Sequence, residues 1–263
     1  MGIDKNFKII EFTKKRRPLT CLTAYTKYMA EIIDPYCDLI LVGDSLGMVV
    51  YGHNNTSSIS LQTIIDHGKA VRRGVSKSLL VVDMPKGSYE KSIKIALKNA
   101  KKIIKDTRCD AVKLEGGTKI RKIIQALVSK NIPVMGHIGL LPQQVINSSD
   151  YKVKGRNEEE QKVIIDDLRA VQEAGAFSVV IEAVPQVLAN QLCEISKIIT
   201  IGIGASNKCD GQILVTEDML GFFDKNPKFV KKYSSLKKII IKSVKKYRSD
   251  IFRRKFPYRK NTY

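Results

Sequence analysis

The chain has 263 residues, 43% of them hydrophobic, and is long enough to form one large core. Its length is also close to the roughly 250 residues typical of an eight-stranded β/α barrel. No apolar stretch reaches the roughly 18 residues that a membrane helix needs, and the N-terminal residues lack the pattern of a secretory signal. We therefore expect a cytoplasmic protein without a membrane segment.

Cysteine usage and net charge narrow the class of protein further. The five cysteines are widely spaced and form no CxxC pair, which argues against a disulfide framework or a zinc site and indicates a reducing compartment. A formal net charge of +20 is compatible with nucleic-acid binding. The lysines, however, are spread through predicted helices and the C-terminal tail, so we expect no nucleic-acid partner. A non-catalytic barrel that binds RNA or another polyanion stays an alternative.

Eight short apolar segments recur along the chain, with helical patterns between most of them. Because their apolar residues are consecutive rather than alternate, they predict strands buried on both faces of a parallel sheet. The predicted strands are 19–24, 39–44, 79–84, 111–116, 133–139, 178–183, 199–205 and 212–218. The predicted helices are 27–34, 60–74, 88–106, 118–131, 158–175 and 184–197, with Ser60 as an N-cap and Gly175 as a terminator.

Eight strands that alternate with helices predict an α/β fold, a (β/α)8 TIM barrel. The whole chain, 1–263, is predicted to be a single barrel domain, with the barrel core at about 18–233 and a basic amphipathic helix at about 234–256. A doubly wound open sheet is the structural alternative, and the count of eight strands favours the barrel.

Ionisable residues fall at the ends of five consecutive predicted strands. In a parallel barrel these ends open on one face, where active sites are found. Neighbouring carboxylates cannot all stay charged without compensation, and magnesium prefers oxygen ligands of this kind. Taken singly, each residue could be a turn residue, a loop carboxylate or a core histidine; together they predict a metal-binding active site. They are Asp44, Asp83, Lys113, Glu115, His137 and Glu182.

The motifs around these residues resemble the ketopantoate hydroxymethyltransferase family. The resemblance runs in order from about residue 18 to residue 233 and includes VGDSLGMVVYGH, VVDMP, VKLEGG, GHIGLLPQ, YKVKGR and IGIGASNKCDGQILV. It implies a barrel of the phosphoenolpyruvate/pyruvate superfamily. It also implies transfer of a hydroxymethyl group from 5,10-methylenetetrahydrofolate to 3-methyl-2-oxobutanoate in pantothenate biosynthesis, with 2-dehydropantoate as the product. A magnesium ion and a homodecamer are further implications.

The same resemblance implies a role for each matching residue. It makes Glu182 the general base that forms a magnesium-stabilised enolate. The implied magnesium ligands are Asp44, Asp83 and Glu115. The implied contacts to the keto acid are Asp44, Ser45, Asp83, Lys113 and His137.

One departure from the family pattern lies close to the predicted metal site. Lys86 stands where the family usually has an aromatic or bulky apolar residue, three positions after Asp83. A lysine there could pair with Asp83 and weaken the metal site, or point to solvent. The nearest enzymatic alternative is a magnesium-dependent aldolase or lyase of the same superfamily, acting on a different keto acid.

Overall fold

The computed structural model describes residues 5–14, 16–145, 147 and 150–263. Eight parallel strands pair in chain order, and β8 pairs with β1, which closes the sheet into a barrel. The predicted barrel is confirmed, and the open-sheet alternative is wrong. The strands are β1 Leu19–Thr23, β2 Leu39–Val42, β3 Leu79–Asp83, β4 Ala111–Lys113, β5 Val134–Gly139, β6 Ser178–Glu182, β7 Ile199–Ile203 and β8 Gly211–Leu214.

Helices precede, separate and follow the strands. Ser60 is the N-cap of α4, because its hydroxyl accepts a hydrogen bond from the Thr63 backbone N–H at 3.1 Å. Gly175 follows α7 with a φ of 89°, as expected of a helix terminator. The helices are α1 Lys5–Thr13, α2 Lys27–Ile33, α3 Leu46–Val49, α4 Leu61–Arg72, α5 Ile93–Thr107, α6 Arg121–Val128, α7 Glu158–Glu173, α8 Gln186–Ile195, α9 Thr216–Met219 and α10 Leu236–Phe252.

Two predicted boundaries of the barrel elements differ from the structure by more than three residues. The helix predicted at 88–106 begins only at Ile93, because the Ser92 hydroxyl caps it by accepting from the Ile95 N–H. The strand predicted at 212–218 ends at Leu214, and α9 begins at Thr216. The first of these differences leaves the segment before α5 free to reach the mouth of the barrel.

Alternate residues of the strands face opposite sides of the barrel wall. One set fills the barrel interior, where Phe12 of α1 also packs; it includes Leu41, Val81, Ala111, Met135 and Val180. The residues between them, such as Ile40, Val82 and Ile181, join the larger core under the helices. This period of two decides which side chains at the strand ends point inward.

The chain divides into two compact units. The first ends at Val215 and contains all eight strands; the second, Thr216–Tyr263, contains α9 and α10. The strands therefore end before residue 233, the predicted end of the barrel core, and the single-domain assignment stays a prediction. Among the described residues, no helix has the length and apolar character needed to cross a membrane.

Candidate active site

Four ionisable side chains occupy the carboxyl ends of neighbouring strands. Each comes two residues after an apolar residue of the barrel interior, so the alternation turns each one inward. They are Asp83 on β3, Lys113 on β4, His137 on β5 and Glu182 on β6. Asp44 and Glu115 follow the ends of β2 and β4. The structure thus brings all six predicted ionisable residues to one end of the barrel.

The first group of contacts joins three residues, Asp44, Asp83 and Lys113. Lys113 Nζ lies 2.6 Å from Asp83 Oδ1, and the Asp44 backbone N–H donates to Asp83 Oδ2 at 3.0 Å. All three residues are buried. Asp83 Oδ1 accepts no well-directed hydrogen bond, although it lies within ion-pair distance of the lysine. This oxygen therefore keeps the capacity to bind a further cationic or donor group.

His137 connects the two remaining carboxylates. Its Nδ1 lies 3.3 Å from Glu115 Oε1 and its Nε2 lies 3.1 Å from Glu182 Oε2. Neither contact has good hydrogen-bond geometry, so both depend mainly on charge. Burial lowers the pKa of His137, but Glu115 and Glu182 outweigh it and raise that pKa to about 9. The imidazole is therefore a cation at neutral pH and offsets part of the negative charge.

Gln143 connects the group of Asp44, Asp83 and Lys113 with the carboxylates around His137. This contact was not predicted from the sequence. Its side-chain Nε2 donates to Asp44 Oδ2 at 2.8 Å, and its backbone N–H donates to Glu115 Oε2 at 2.9 Å. Tyr89 lies behind it and donates to Gln143 Oε1 at 2.9 Å. Gln143 is the last residue of the GHIGLLPQ motif that matches the family, and Tyr89 lies four residues after the VVDMP motif. That match was the available signal, but it assigned them no role.

The carboxylates of the cluster strongly shift one another's pKa values. Burial, together with the charges of Asp83 and Glu115, holds the pKa of Asp44 well above its usual range. Burial also raises the pKa of Asp83, against the opposing effect of Lys113. Burial would raise the pKa of Glu115, but His137 and Lys113 outweigh it and the pKa is lowered. An added cation would stabilise the charged forms of these acids.

Ser45 lies at the edge of the cluster, where α3 begins. Its hydroxyl does not cap that helix. Instead Ser45 Oγ lies 2.8 Å from the hydroxyl of Tyr25, which follows β1. Ser45 is half-buried. A hydroxyl held in this way can offer a hydrogen bond to a small ligand in the mouth of the barrel.

A cavity of about 640 Å³ lies on the β4 and β5 side of the cluster. Its lining includes Tyr89, Glu115 and Gln143 at the inner side and Lys86. Lys86 is exposed, whereas Asp83 is buried and has Lys113 as its ion-pair partner among the described residues. Of the two expectations for Lys86, the structure therefore supports a side chain directed to solvent rather than one paired with Asp83.

Only part of the cluster is suited to a magnesium ion. In the described part of the chain, no group of three His, Cys, Asp or Glu side chains stands ready to hold a metal. Magnesium keeps several waters and usually takes only one or two protein carboxylates. Asp44 and Asp83, adjacent acids with an unsatisfied buried oxygen at Asp83, fit that smaller requirement. Glu115 has partners on both carboxylate oxygens.

Comparison with known proteins places the chain in a family. The family model for ketopantoate hydroxymethyltransferase matches residues 5–259. The chain belongs to the ketopantoate hydroxymethyltransferase family. It is 49% identical to the 3-methyl-2-oxobutanoate hydroxymethyltransferase of Pelagibacter ubique over 98% of this chain and 100% of that one. It is 52% identical to the enzyme of the same name from Bartonella quintana over 94% of this chain and 90% of that one.

Solved structures with the same fold are more distant in sequence. A phosphonopyruvate hydrolase aligns with a TM-score of 0.64 at 12% identity, covering 98% of this chain and 93% of the other. A 2,3-dimethylmalate lyase of the phosphoenolpyruvate mutase/isocitrate lyase superfamily aligns with a TM-score of 0.58 at 12% identity, covering 81% and 79%. At this level of identity the likeness concerns the fold alone, an eight-stranded parallel barrel.

Family membership settles the reaction that was predicted from the motifs. The protein is an enzyme that transfers a hydroxymethyl group to 3-methyl-2-oxobutanoate in pantothenate biosynthesis. This activity implies a methylenetetrahydrofolate co-substrate. The lyase and polyanion-binding alternatives are set aside as descriptions of its function. Family membership by itself assigns no role to an individual site residue.

Proposed function

We propose that the hydroxymethyl transfer proceeds through an enolate of the keto acid, with Glu182 as the base that removes the C3 proton. The supporting observation is the difference in exposure among the clustered acids. The Glu182 side chain is 14% exposed, whereas those of Glu115 and Asp83 are 2% exposed. A general base must come within hydrogen-bond reach of the proton that it takes. Glu182 is the more open of these carboxylates and the better placed to do so.

The remaining residues would bind and orient the keto acid. Lys113 offers a buried positive charge to the substrate carboxylate, and Ser45 offers a hydroxyl. His137 contacts Glu182 directly, so a protonated imidazole would orient the base. Once Glu182 has taken the substrate proton and become neutral, the imidazolium would no longer face a charged partner. We assign Asp44 and Asp83 to a magnesium ion; Glu115, the third predicted ligand, has His137 and Gln143 on its two oxygens and would lie beside that ion. Such an ion, when bound, supplies Lewis acidity next to the keto group.

The reaction of the keto acid begins at C3. The C3–H bond breaks and the proton passes to the Glu182 carboxylate. Water releases the one-carbon unit of methylenetetrahydrofolate as formaldehyde, which breaks both of its C–N bonds and leaves tetrahydrofolate. The electron pair left on C3 forms a bond to that carbon. The oxygen of the former formaldehyde takes the proton held by Glu182 and becomes the hydroxyl of the product, which returns Glu182 to its charged form.

The Glu182→Gln variant tests the assignment of the base. We expect exchange of the C3 proton of 3-methyl-2-oxobutanoate into deuterated water to fall by about 10²- to 10⁴-fold, the usual contribution of a general base. Proton nuclear magnetic resonance without folate measures this step alone. Manganese binding, measured separately, should be unchanged. Glu194→Gln, an exposed acid on α8, is the matched control, and normal exchange in Glu182→Gln would remove Glu182 from this role.

We also propose that the enzyme is a homo-oligomer, as the family resemblance implies. Helix α10 supports this proposal, because none of its 17 residues is buried. Its exposed side chains include Ile240, Val244, Tyr247 and Ile251, which recur at the i, i+4, i+7, i+11 spacing of one helix face. The occupant that we assign to this face is a second copy of the chain. The decamer stays a prediction.

A further inference from the structure

We propose that Gln143 is a positioning residue for the metal-binding carboxylates, and that it acts through Asp44. The proposal rests on the magnesium site proposed above and deepens it. Gln143 is 2% exposed, and it approaches both acids from the short 3-10 turn Pro142–Gln144. Residues that orient metal ligands from behind typically change metal affinity or activity about 10- to 100-fold when they are replaced.

The orientation of the Gln143 amide is fixed by its partners. Its Nε2 lies 2.8 Å from Asp44 Oδ2 and 3.0 Å from the Met84 carbonyl oxygen. A carbonyl oxygen can only accept, so the NH2 end of the amide must face this side. Its Oε1 faces the Tyr89 hydroxyl at 2.9 Å. Both donors and the acceptor of the side chain are therefore used, and turning the amide over would place Oε1 against the Met84 carbonyl oxygen, which cannot donate.

This arrangement gives the two carboxylate oxygens of Asp44 different roles. Gln143 engages Oδ2, so the carboxylate cannot rotate freely about its Cβ–Cγ bond, and Oδ1 is held in a constant direction. The distance of 2.8 Å between Gln143 Nε2 and Asp44 Oδ2 lies on the short side of the usual range for an N–H···O bond. The Glu115 contact differs, because it comes from the Gln143 backbone N–H and survives any substitution of the side chain. Of the acids assigned to the metal site, side-chain variants of Gln143 thus act directly on Asp44 only.

Three variants of the full-length protein test the proposal. Gln143→Ala removes the donor, whereas Gln143→Glu keeps the shape but places an acceptor against Asp44 and the Met84 carbonyl. Gln144→Ala is the matched control, since Gln144 has the same amide in the same turn but is exposed. The probe is Mn²⁺ alone, titrated with paramagnetic resonance detection of free ion. The second readout is the Mg²⁺ concentration that gives half-maximal C3 proton exchange.

We expect both Gln143 variants to bind Mn²⁺ roughly 10- to 100-fold more weakly than the unaltered protein, with the lower Tm for Gln143→Glu, which buries an acceptor against two others. Saturating Mg²⁺ should restore most of the exchange rate, because the base Glu182 is untouched. Gln144→Ala should match the unaltered protein in both measurements. Equal Mn²⁺ affinity in all proteins would overturn the positioning role while leaving the metal site in place. Failure of the unaltered protein to bind Mn²⁺ would overturn the metal site and the role of Gln143 together.

A separate observation concerns two cysteines outside the active site. The Sγ atoms of Cys193 on α8 and Cys209 in the β7–β8 connection lie 3.5 Å apart. From this geometry we infer that they form a reversible disulfide when a peroxide is supplied. A disulfide has an S–S length of about 2.05 Å, so the sulfurs need to approach by only about 1.5 Å.

The chemistry of the pair favours Cys193 as the attacking thiol. The contacts with the Cys209 thiol and with the Thr200 hydroxyl, which is 3.7 Å away, lower the pKa of Cys193 to about 7, against the effect of partial burial. The Cys193 thiolate attacks one peroxide oxygen, breaks the O–O bond and becomes a sulfenic acid. The Cys209 thiol then displaces water from that sulfur. Two thiols lose two electrons in total, and hydrogen peroxide is reduced to two waters.

Peptide mapping after hydrogen peroxide treatment tests the inference. Cys37 is the matched control, because it is also half-buried, but burial and the nearby Asp38 and Asp34 raise its pKa to about 12. We expect a Cys193–Cys209 linked peptide that dithiothreitol removes, while Cys37 stays open to alkylation. The link should be absent from Cys193→Ser. Complete alkylation of Cys193 and Cys209 after peroxide, or linkage of Cys37 at the same rate, would overturn the inference.

Discussion

At the scale of single residues, the site contains buried charges held by opposite charges. Lys113 faces three acids, Asp83, Glu115 and Asp44, which together raise its pKa against the effect of burial. A lone buried carboxylate would be protonated or very costly. The lysine therefore contributes to folding as well as to substrate binding, and the two contributions can be measured apart.

Replacing Lys113 by Met should destabilise the folded protein. The substitution keeps most of the side-chain volume but leaves Asp83 buried without its ion-pair partner, which typically costs about 3–5 kcal/mol. Urea unfolding followed by circular dichroism measures the change in the free energy of unfolding. Lys119→Met, at an exposed position in the turn after Glu115, should change it by no more than about 0.5 kcal/mol. Equal stability of the two variants would contradict the buried-pair argument.

At the scale of elements, the residues that end β3 to β6 could be predicted from the sequence because two regularities act together. Strands of a parallel barrel read as apolar runs, and the period of two then decides which side chain faces inward. Asp83, Lys113, His137 and Glu182 follow from these rules. The motif resemblance then supplied the reaction, which strand position alone could not.

Gln143 and Tyr89 could not be placed by the same rules. Both lie in irregular segments, where no periodicity fixes the direction of a side chain. Gln143 is 99 residues from Asp44 and 54 residues from Tyr89 along the chain. Their meeting depends on how the loops after β3 and β5 pack together, a tertiary effect that local pattern does not encode. The short helix α3, only four residues long, was missed for a similar reason.

Asp34 connects two elements and makes stability depend on pH. Burial raises the pKa of Asp34, but hydrogen bonds from the backbone N–H groups of Ser78, Lys77 and Ser76, and from the Ser76 hydroxyl, outweigh it and lower that pKa to about 2. The carboxylate thus ties the turn after α2 to the segment before β3. Since the pKa is lowered by folding, this stabilisation is complete above the unfolded value, about 3.9, and is lost as the pH falls through about 2.

The Asp34→Asn variant should therefore be less stable by about 1–3 kcal/mol at neutral pH, because a neutral amide replaces an acceptor of several bonds. The difference from the unaltered protein should shrink as the pH is lowered below 4. Thermal unfolding over a pH series measures both effects. Asp66→Asn, on the exposed side of α4, should give a small difference. If Asp34→Asn were less stable than the unaltered protein by the same amount down to pH 2, the charge on Asp34 would not be the cause of the difference in stability.

At the scale of the whole molecule, positive charge and exposed apolar surface act in opposite directions. A net charge of +20 keeps copies of the chain apart at low ionic strength. The apolar face of α10, which includes Ile240, Val244, Tyr247 and Ile251, favours their association. Salt screens the repulsion over about 10 Å at 0.1 M and leaves apolar contact unaffected. Assembly should consequently strengthen as salt is raised, the opposite of what binding to a polyanion would show.

Sedimentation velocity can test whether α10 mediates that assembly. Val244→Glu places a charge in the centre of the apolar face, and we expect it to convert the oligomer to smaller species at the same protein concentration. Lys242→Glu is the control: it alters the helix charge by two units rather than one, but Lys242 lies on the opposite side of the helix by its 100° spacing. Because burial of a charge costs far more than a change in surface charge, only Val244→Glu should dissociate the assembly. Dissociation by both variants would point to electrostatics rather than to the apolar face, and an unaltered protein that sediments as a monomer would refute the oligomer itself.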